Sequence, residues 1–166
     1  MFLAQAELEN RILEELEQHT VLTLAVNGDE GPHAVSLMYA HEGFNIYWLS
    51  DPKARHSAYL ESGSSASVTI ASQHTDFREI RGLQLTGDAH RISGSAEEAT
   101  GFRLLVARYP FLKKFGAGKL ARHLGAAAIY AFRPATMTLI DNTRGFGFKQ
   151  TLAPQEFQNE YSSNRS

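Results

Sequence analysis

Apolar residues first recur at helical spacing. Over residues 5–18, Leu8, Ile12, Leu13 and Leu16 share one face, with glutamates between them, and the period predicts a helix. From Thr20 the pattern shortens to runs of strand length. "TVLTLAV" (Thr20–Val26) predicts a strand, and "NGDEG" after it a turn. Pro32–Ala40 and Phe44–Ser50 predict two more strands joined through "HEG", which makes an antiparallel meander. A short helix follows, opened by Asp51 as cap and Pro52 at the first helical position. Ser65–Ser72 and the long run Arg81–Ile92 predict further strands. Residues 95–108 predict a helix, continued by the less regular, basic "YPFLKKFGAGKLARHL". Ala127–Asn142 reads as two strands, or as one bent at Pro134. From Thr143 no period is visible.

Six strands with few helices predict a mainly β fold, an antiparallel barrel with helices packed outside it. We expect one domain over residues 1–166: an N-terminal helix to residue 18, a barrel core over 20–142 with a helical insertion at 95–124, and a tail from 143.

Composition narrows the function. With 43% hydrophobic residues the chain can bury a core without staples. A formal net charge of −2 gives no general pull toward nucleic acid or acidic membranes. With 0 cysteines there is no disulfide framework, thiol nucleophile or cysteine-bound metal. The N-terminal stretch is too acidic for a signal peptide, and no apolar run is long enough to span a bilayer. A soluble, cytoplasmic protein is expected.

The chemistry concentrates in "LSDPKARHSAYL" (Leu49–Leu60), where Lys53, Arg55 and His56 crowd the start of the short helix. That end of a helix is positive and favours carboxylates, so cations there suggest an anion between them. Ser50 adds a hydroxyl, and arginine suits a phosphate. Asp51 would repel an anion unless its carboxylate is occupied by capping. The competing reading is a set of solvated charges beside an ordinary cap.

The surrounding order of elements resembles the flavin-binding split-barrel superfamily of the pyridoxamine 5′-phosphate oxidase-like proteins. The resemblance is carried by "PHAVSLMYAHEGFNIYWLSDPKARHSAYLE", "ASVTIAS", "IRGLQLTGDAHRI" and "IYAFRPATMTLIDN", and covers roughly residues 20–142. It implies a six-stranded, Greek-key, split β-barrel and a homodimer with FMN in a groove between the subunits. Carried over by position, it gives the FMN phosphate to Ser50, Lys53, Arg55 and His56. The strand around Val35, Ser36 and Leu37 would lie along the isoalloxazine ring, and Gln84 would stand against the ring or ribityl chain. It further implies an FMN-dependent oxidoreductase acting on a small molecule, with no protein acid or base needed for hydride transfer. Enzymes that oxidise pyridoxamine phosphate carry an Arg-x-His motif near the C-terminus, and "RGFGFKQTLAPQEFQNEYSSNRS" replaces it here. Some split-barrel relatives bind haem, so a non-catalytic flavin- or haem-binding protein is the alternative.

Four features stay open on the residues alone. Gln84 shares a strand face with Thr86, Asp88 and His90, which is either a wet face or one that meets a polar ligand. "RGFGF" at Arg144 fits the consensus of an RNA-recognition strand, but Lys149 follows where valine is expected, with no further helix and strand after it. The segment either docks on the barrel or reaches a partner's flavin groove. The basic residues Arg108, Lys113, Lys114, Lys119 and Arg122 form a solvated face, a surface for a membrane or acidic partner, or a cover at the barrel's end. The histidines, at 19, 33, 41, 56, 74, 90 and 123, have no i, i+2 pair that would place two on one strand face for a metal.

Overall fold

The computed structural model describes residues 1–61, 63–94, 96–115 and 127–154. The chain runs α1 (Gln5–Gln18), β1 (Val21–Gly28), β2 (Gly31–Met38), β3 (Ala40–Glu42), β4 (Asn45–Ser50), α2 (Arg55–Tyr59), β5 (Ser64–Ala71), β6 (Arg81–Arg91), α3 (Ala96–Arg108), β7 (Ala128–Asp141) and β8 (Lys149–Leu152). One antiparallel sheet takes the order β2-β1-β5-β6-β7-β4-β3, with β8 paired to β7. Among the described residues β2 pairs with β1 alone, which leaves its other edge unpaired where the curled sheet brings it near β4. This is the expected split barrel, with two short strands, β3 and β8, beyond the six expected.

Alternation decides which face is dry. Leu22, Leu24 and Val26 of β1, Val68 and Ile70 of β5, and Leu83 and Leu85 of β6 point into the curl. Leu8, Ile12 and Leu16 of α1 close over them, as the helical period required. Each buried leucine or isoleucine contributes about 1.5–3 kcal/mol by leaving water. α3 packs on the opposite side of β4 and β7, through Leu105, Tyr109, Tyr47 and Ile129, so the first half of β7 is buried on both faces.

β7 is one strand, and its irregularity lies beside Pro134, where Ala135 is left without a partner on β6. The β6–β7 register shifts between Thr86 and Gly87, where Gly87 faces Pro134. Proline has no N–H for the ladder, and a side chain at 87 would run into the Arg133 carbonyl, so a bulge and a glycine meet there.

In the tail, one strand was not expected, and the aromatic segment docks on the barrel, one of its two expected alternatives. Residues 149–152 form β8, and the Gln150 side chain exchanges two hydrogen bonds with the backbone of Leu3, at 2.8 and 2.9 Å. Such long-range pairing leaves no local period to read. Within "RGFGF", Phe148 packs on the core while Phe146 is exposed and meets Phe77 edge-on.

The expected solvated basic face is also corrected at its first residue. α1 has no basic residue in its last turn. Arg108 supplies one from α3: its Nη2 donates to the carbonyls of Glu17 and His19 at 2.6 Å each, and its Nη1 lies 3.0 Å from the Glu17 carboxylate. The cation therefore sits at the negative end of the α1 dipole, above the Tyr39 ring. Lys119 and Arg122 lie outside the described residues, as does His123, and only the backbone of Lys114 is described.

Candidate functional site: a hydroxyl–imidazole cradle at the end of β4

β4 delivers Ser50 to the barrel's rim, and the chain then turns sharply. The Asp51 carboxylate accepts from the Lys53 N–H at 2.9 Å, and the Asp51 carbonyl from the Ala54 N–H at 2.9 Å. The helix begins only at Arg55, with Ala54 at its N-cap. This corrects the expected helix start at Pro52. Asp51 caps a turn, its carboxylate is occupied, and the Lys53 and Ala54 N–H groups are spent inside that turn. A helix of 5 residues, Arg55–Tyr59, has too few aligned peptides for the dipole argument to apply.

What replaces it is a chain of side chains. His56 and Ser57, the first turned-in residues of α2, are both buried. Ser57 Oγ donates to Ser50 Oγ at 3.1 Å, and Ser50 Oγ lies 2.6 Å from His56 Nε2. The His33 ring, from β2, lies parallel to the His56 ring with centroids 6.3 Å apart. Burial first, and His33 second, hold the His56 pKa below the ordinary histidine value. No hydrogen bond holds His56 Nδ1 among the described residues, so Ser50 and His56 lack the carboxylate that orients a base in a nucleophilic triad.

The cations stand at the rim. Lys53 is exposed, with no acidic partner among the described residues. Arg55 is tethered: its Nε donates to Tyr59 Oη at 3.0 Å and lies 3.4 Å from the Glu30 carboxylate. Tyr59 in turn lies on Gly28 at the end of β1, in the space a side chain would take. α2 is thus braced against the β1–β2 hairpin, which fixes where Arg55 starts.

Four expected site residues, Ser50, Lys53, Arg55 and His56, therefore come together around one rim. Val35, Ser36 and Leu37 run beside them on β2: Val35 and Leu37 turn toward the core, Ser36 turns outward, and the strand's unpaired edge offers N–H and C=O groups. Gln84 is elsewhere. It lies in a row of outward polar residues, Ser36–Thr23–Thr69–Gln84–Thr138–Thr151, in register across six strands. Three strand spacings separate Gln84 from Ser36, about 14 Å. A groove of about 600 Å³ opens on this outer face, lined by Ala25, Asn27, Pro32, Ser67, Thr86 and Asp88.

Ser57, His33 and Tyr59 complete the arrangement; the sequence offered His33 only among the scattered histidines, as one of three (with His41 and His123) that could ligate a haem, and singled out neither Ser57 nor Tyr59. For His33 a signal existed: it shares the inward phase of β2 with Val35 and Leu37, an odd place for a polar ring. Ser57 and Tyr59 had none, because only the shortened helix settles their directions.

Comparison with known proteins agrees with this architecture. The profile described as "Pyridoxamine 5'-phosphate oxidase" matches residues 9–140. A UPF0306 protein of Klebsiella pneumoniae is 30% identical over 136 residues, covering 81% of this chain and 85% of that protein. A haem-binding protein from Mycobacterium smegmatis has a TM-score of 0.69 at 19% identity, over 96% of this chain and 62% of that one, so this chain spans about three fifths of its length. A FAD-binding protein from Mesorhizobium loti has a TM-score of 0.61 at 15% identity, over 81% of this chain and 92% of that one. Among the described residues no helix is long and apolar enough to cross a membrane.

Proposed function

The chain belongs to the pyridoxamine 5′-phosphate oxidase family, and on that premise we propose that it is an FMN-dependent oxidoreductase that works as a homodimer. The observation that carries the proposal is the Ser57–Ser50–His56 chain, with Lys53 and Arg55 on the turn and helix start that lead into it. Hydroxyls and an imidazole at the inner wall with cations at the rim suit a phosphate, which takes several donors at once. The residues present therefore fit a nucleotide's terminal phosphate, and the free edge of β2 beside them suits the polar edge of a flavin ring. FMN, when bound, supplies hydride and electron transfer; the chain binds it, orients it and sets its electrostatic surroundings.

A distance supports the dimer. A ring lying along β2 cannot also touch the Gln84 of its own chain, about 14 Å across the sheet. In a dimer built on the polar outer face, Gln84 of one copy serves the ring held by the other.

The test is an absorbance spectrum of the purified protein, before and after addition of FMN, with bleaching by a nicotinamide donor and reoxidation in air. Flavin bands that bleach and return support the proposal, and failure to take up FMN contradicts it. A second reading, a non-catalytic binder of flavin or haem, draws on the likeness to the haem-binding protein of M. smegmatis. A Soret band, or a flavin that no donor reduces, would favour it.

A further inference from the structure

We infer that the cradle binds its anion together with a proton, taken up on His56, which reverses the hydrogen bond between His56 and Ser50 and turns the Ser50 hydroxyl toward the anion. The inference rests on the phosphate site proposed above and assigns how that site is switched.

Ser50 Oγ accepts from Ser57 Oγ and lies 2.6 Å from His56 Nε2. To the anion-free cradle we assign the arrangement in which the Ser50 hydrogen goes to Nε2. The Nε2 is then an acceptor, and His56 is the neutral, Nδ1–H tautomer. In that state the inner wall has no spare hydrogen to offer: the Ser57 hydrogen points at Ser50 and the Ser50 hydrogen points at His56. A phosphate accepts hydrogen bonds and donates almost none, so a wall in this state does not suit it.

One proton corrects this. With Nε2 protonated, the imidazolium donates to Ser50 Oγ, and the Ser50 hydrogen is released. The wall gains one donor and one positive charge within a single hydrogen bond of the anion. The proton comes from solvent, no covalent bond changes, and the charge gained on His56 is matched by the charge of the anion.

The groups facing His56 explain why the proton waits for the anion. On its own helix are Ser57, and Arg55 at the rim. β2 presents His33, parallel to it at 6.3 Å. β4 presents Ser50, and β1, Val21–Gly28, contains no ionisable residue. The carboxylates at the rim are engaged: Asp51 with the Lys53 N–H and Glu30 with Arg55. Without an anion, burial and His33 keep His56 neutral near pH 7. With one, an opposite charge favours the imidazolium.

The sign follows by linkage. The free-state pKa is low and the bound-state pKa is higher. Affinity is greatest below the free-state value, falls about tenfold per pH unit between the two, and levels off above the bound-state value.

The experiment is calorimetric titration of the full chain with FMN at pH 7.5, in two buffers of different ionisation enthalpy, for the wild type and His56→Gln. At this pH the phosphate, with a second pKa of about 6, is already mostly the dianion. The wild type should take up a substantial fraction of one proton per FMN and His56→Gln close to none. FMN binding with no net uptake, or with the same uptake in both proteins, overturns the inference and leaves the phosphate site standing. No binding of FMN by the wild type removes the site, and the inference with it.

Discussion

The phenol of Tyr59 lies on the backbone of Gly28, and its hydroxyl holds Arg55 Nε at 3.0 Å. A glycine at the end of β1 thus determines where a cation of α2 stands. Gly28→Ala adds a methyl group inside the space of the ring, so Tyr59 must move and Arg55 loses its tether. We expect FMN affinity to fall by roughly tenfold, the value of about one charge-assisted hydrogen bond, with the far-ultraviolet circular dichroism unchanged. Affinity equal to the wild type would remove this brace from the account.

Arg108 joins the two long helices. Truncation to alanine leaves the Glu17 and His19 carbonyls at the end of α1 without this donor and leaves the Glu17 carboxylate to His41. A loss of about 1.5–3 kcal/mol is expected, seen as a lower urea midpoint at unchanged slope. Because the residue is remote from the cradle, FMN affinity in the folded protein should not change.

Acid should weaken the fold through two buried or half-buried imidazoles. His56 is held below the ordinary value by burial and then by His33, and His90 by burial and then by Arg133. The unfolded chain binds these protons first, so between the unfolded value of about 6.5 and the lower folded values stability falls as pH falls. Their contribution is complete above pH of about 6.5. Thermal melting of the FMN-free protein across that window should show the decline, and the double variant His56→Gln, His90→Gln should flatten it. An identical slope in the double variant would assign the acid loss to other groups.

Gly87 sits where the β6 backbone passes closest to β7. Gly87→Ala must push the Arg133 carbonyl aside, which only backbone movement allows. The expected cost is about 1–3 kcal/mol, read from denaturant unfolding. A neutral result would mean that the bulge relaxes freely.

Much of the fold was legible because its signals are local. The α1 stripe is a periodic run, and the alternation in β5 and β6 assigns faces correctly through Leu83, Gln84 and Leu85. What escaped depends on contacts distant in sequence. β8 exists because residues 149–152 find β7 and Gln150 finds Leu3. Arg108 read as a surface charge because α1, whose carbonyls it caps, lies some ninety residues earlier. In the cradle, the residue types of Ser50, Lys53, Arg55 and His56 were readable, but the reason first offered for them was not the operative one. The dipole of a helix starting at Pro52 gave way to an Asp51 turn, and the donors are side chains aligned by His33 and Ser57.

The measurement closest to the central claim compares two ligands that differ only in the phosphate. Equilibrium titrations with FMN and with riboflavin isolate what the cradle contributes. Two charge-assisted hydrogen bonds or more to the phosphate predict that FMN binds roughly 100-fold tighter, with Arg55→Ala and Ser50→Ala narrowing the gap and leaving riboflavin affinity unchanged. Equal affinity for the two ligands would contradict the assignment of this rim to a phosphate.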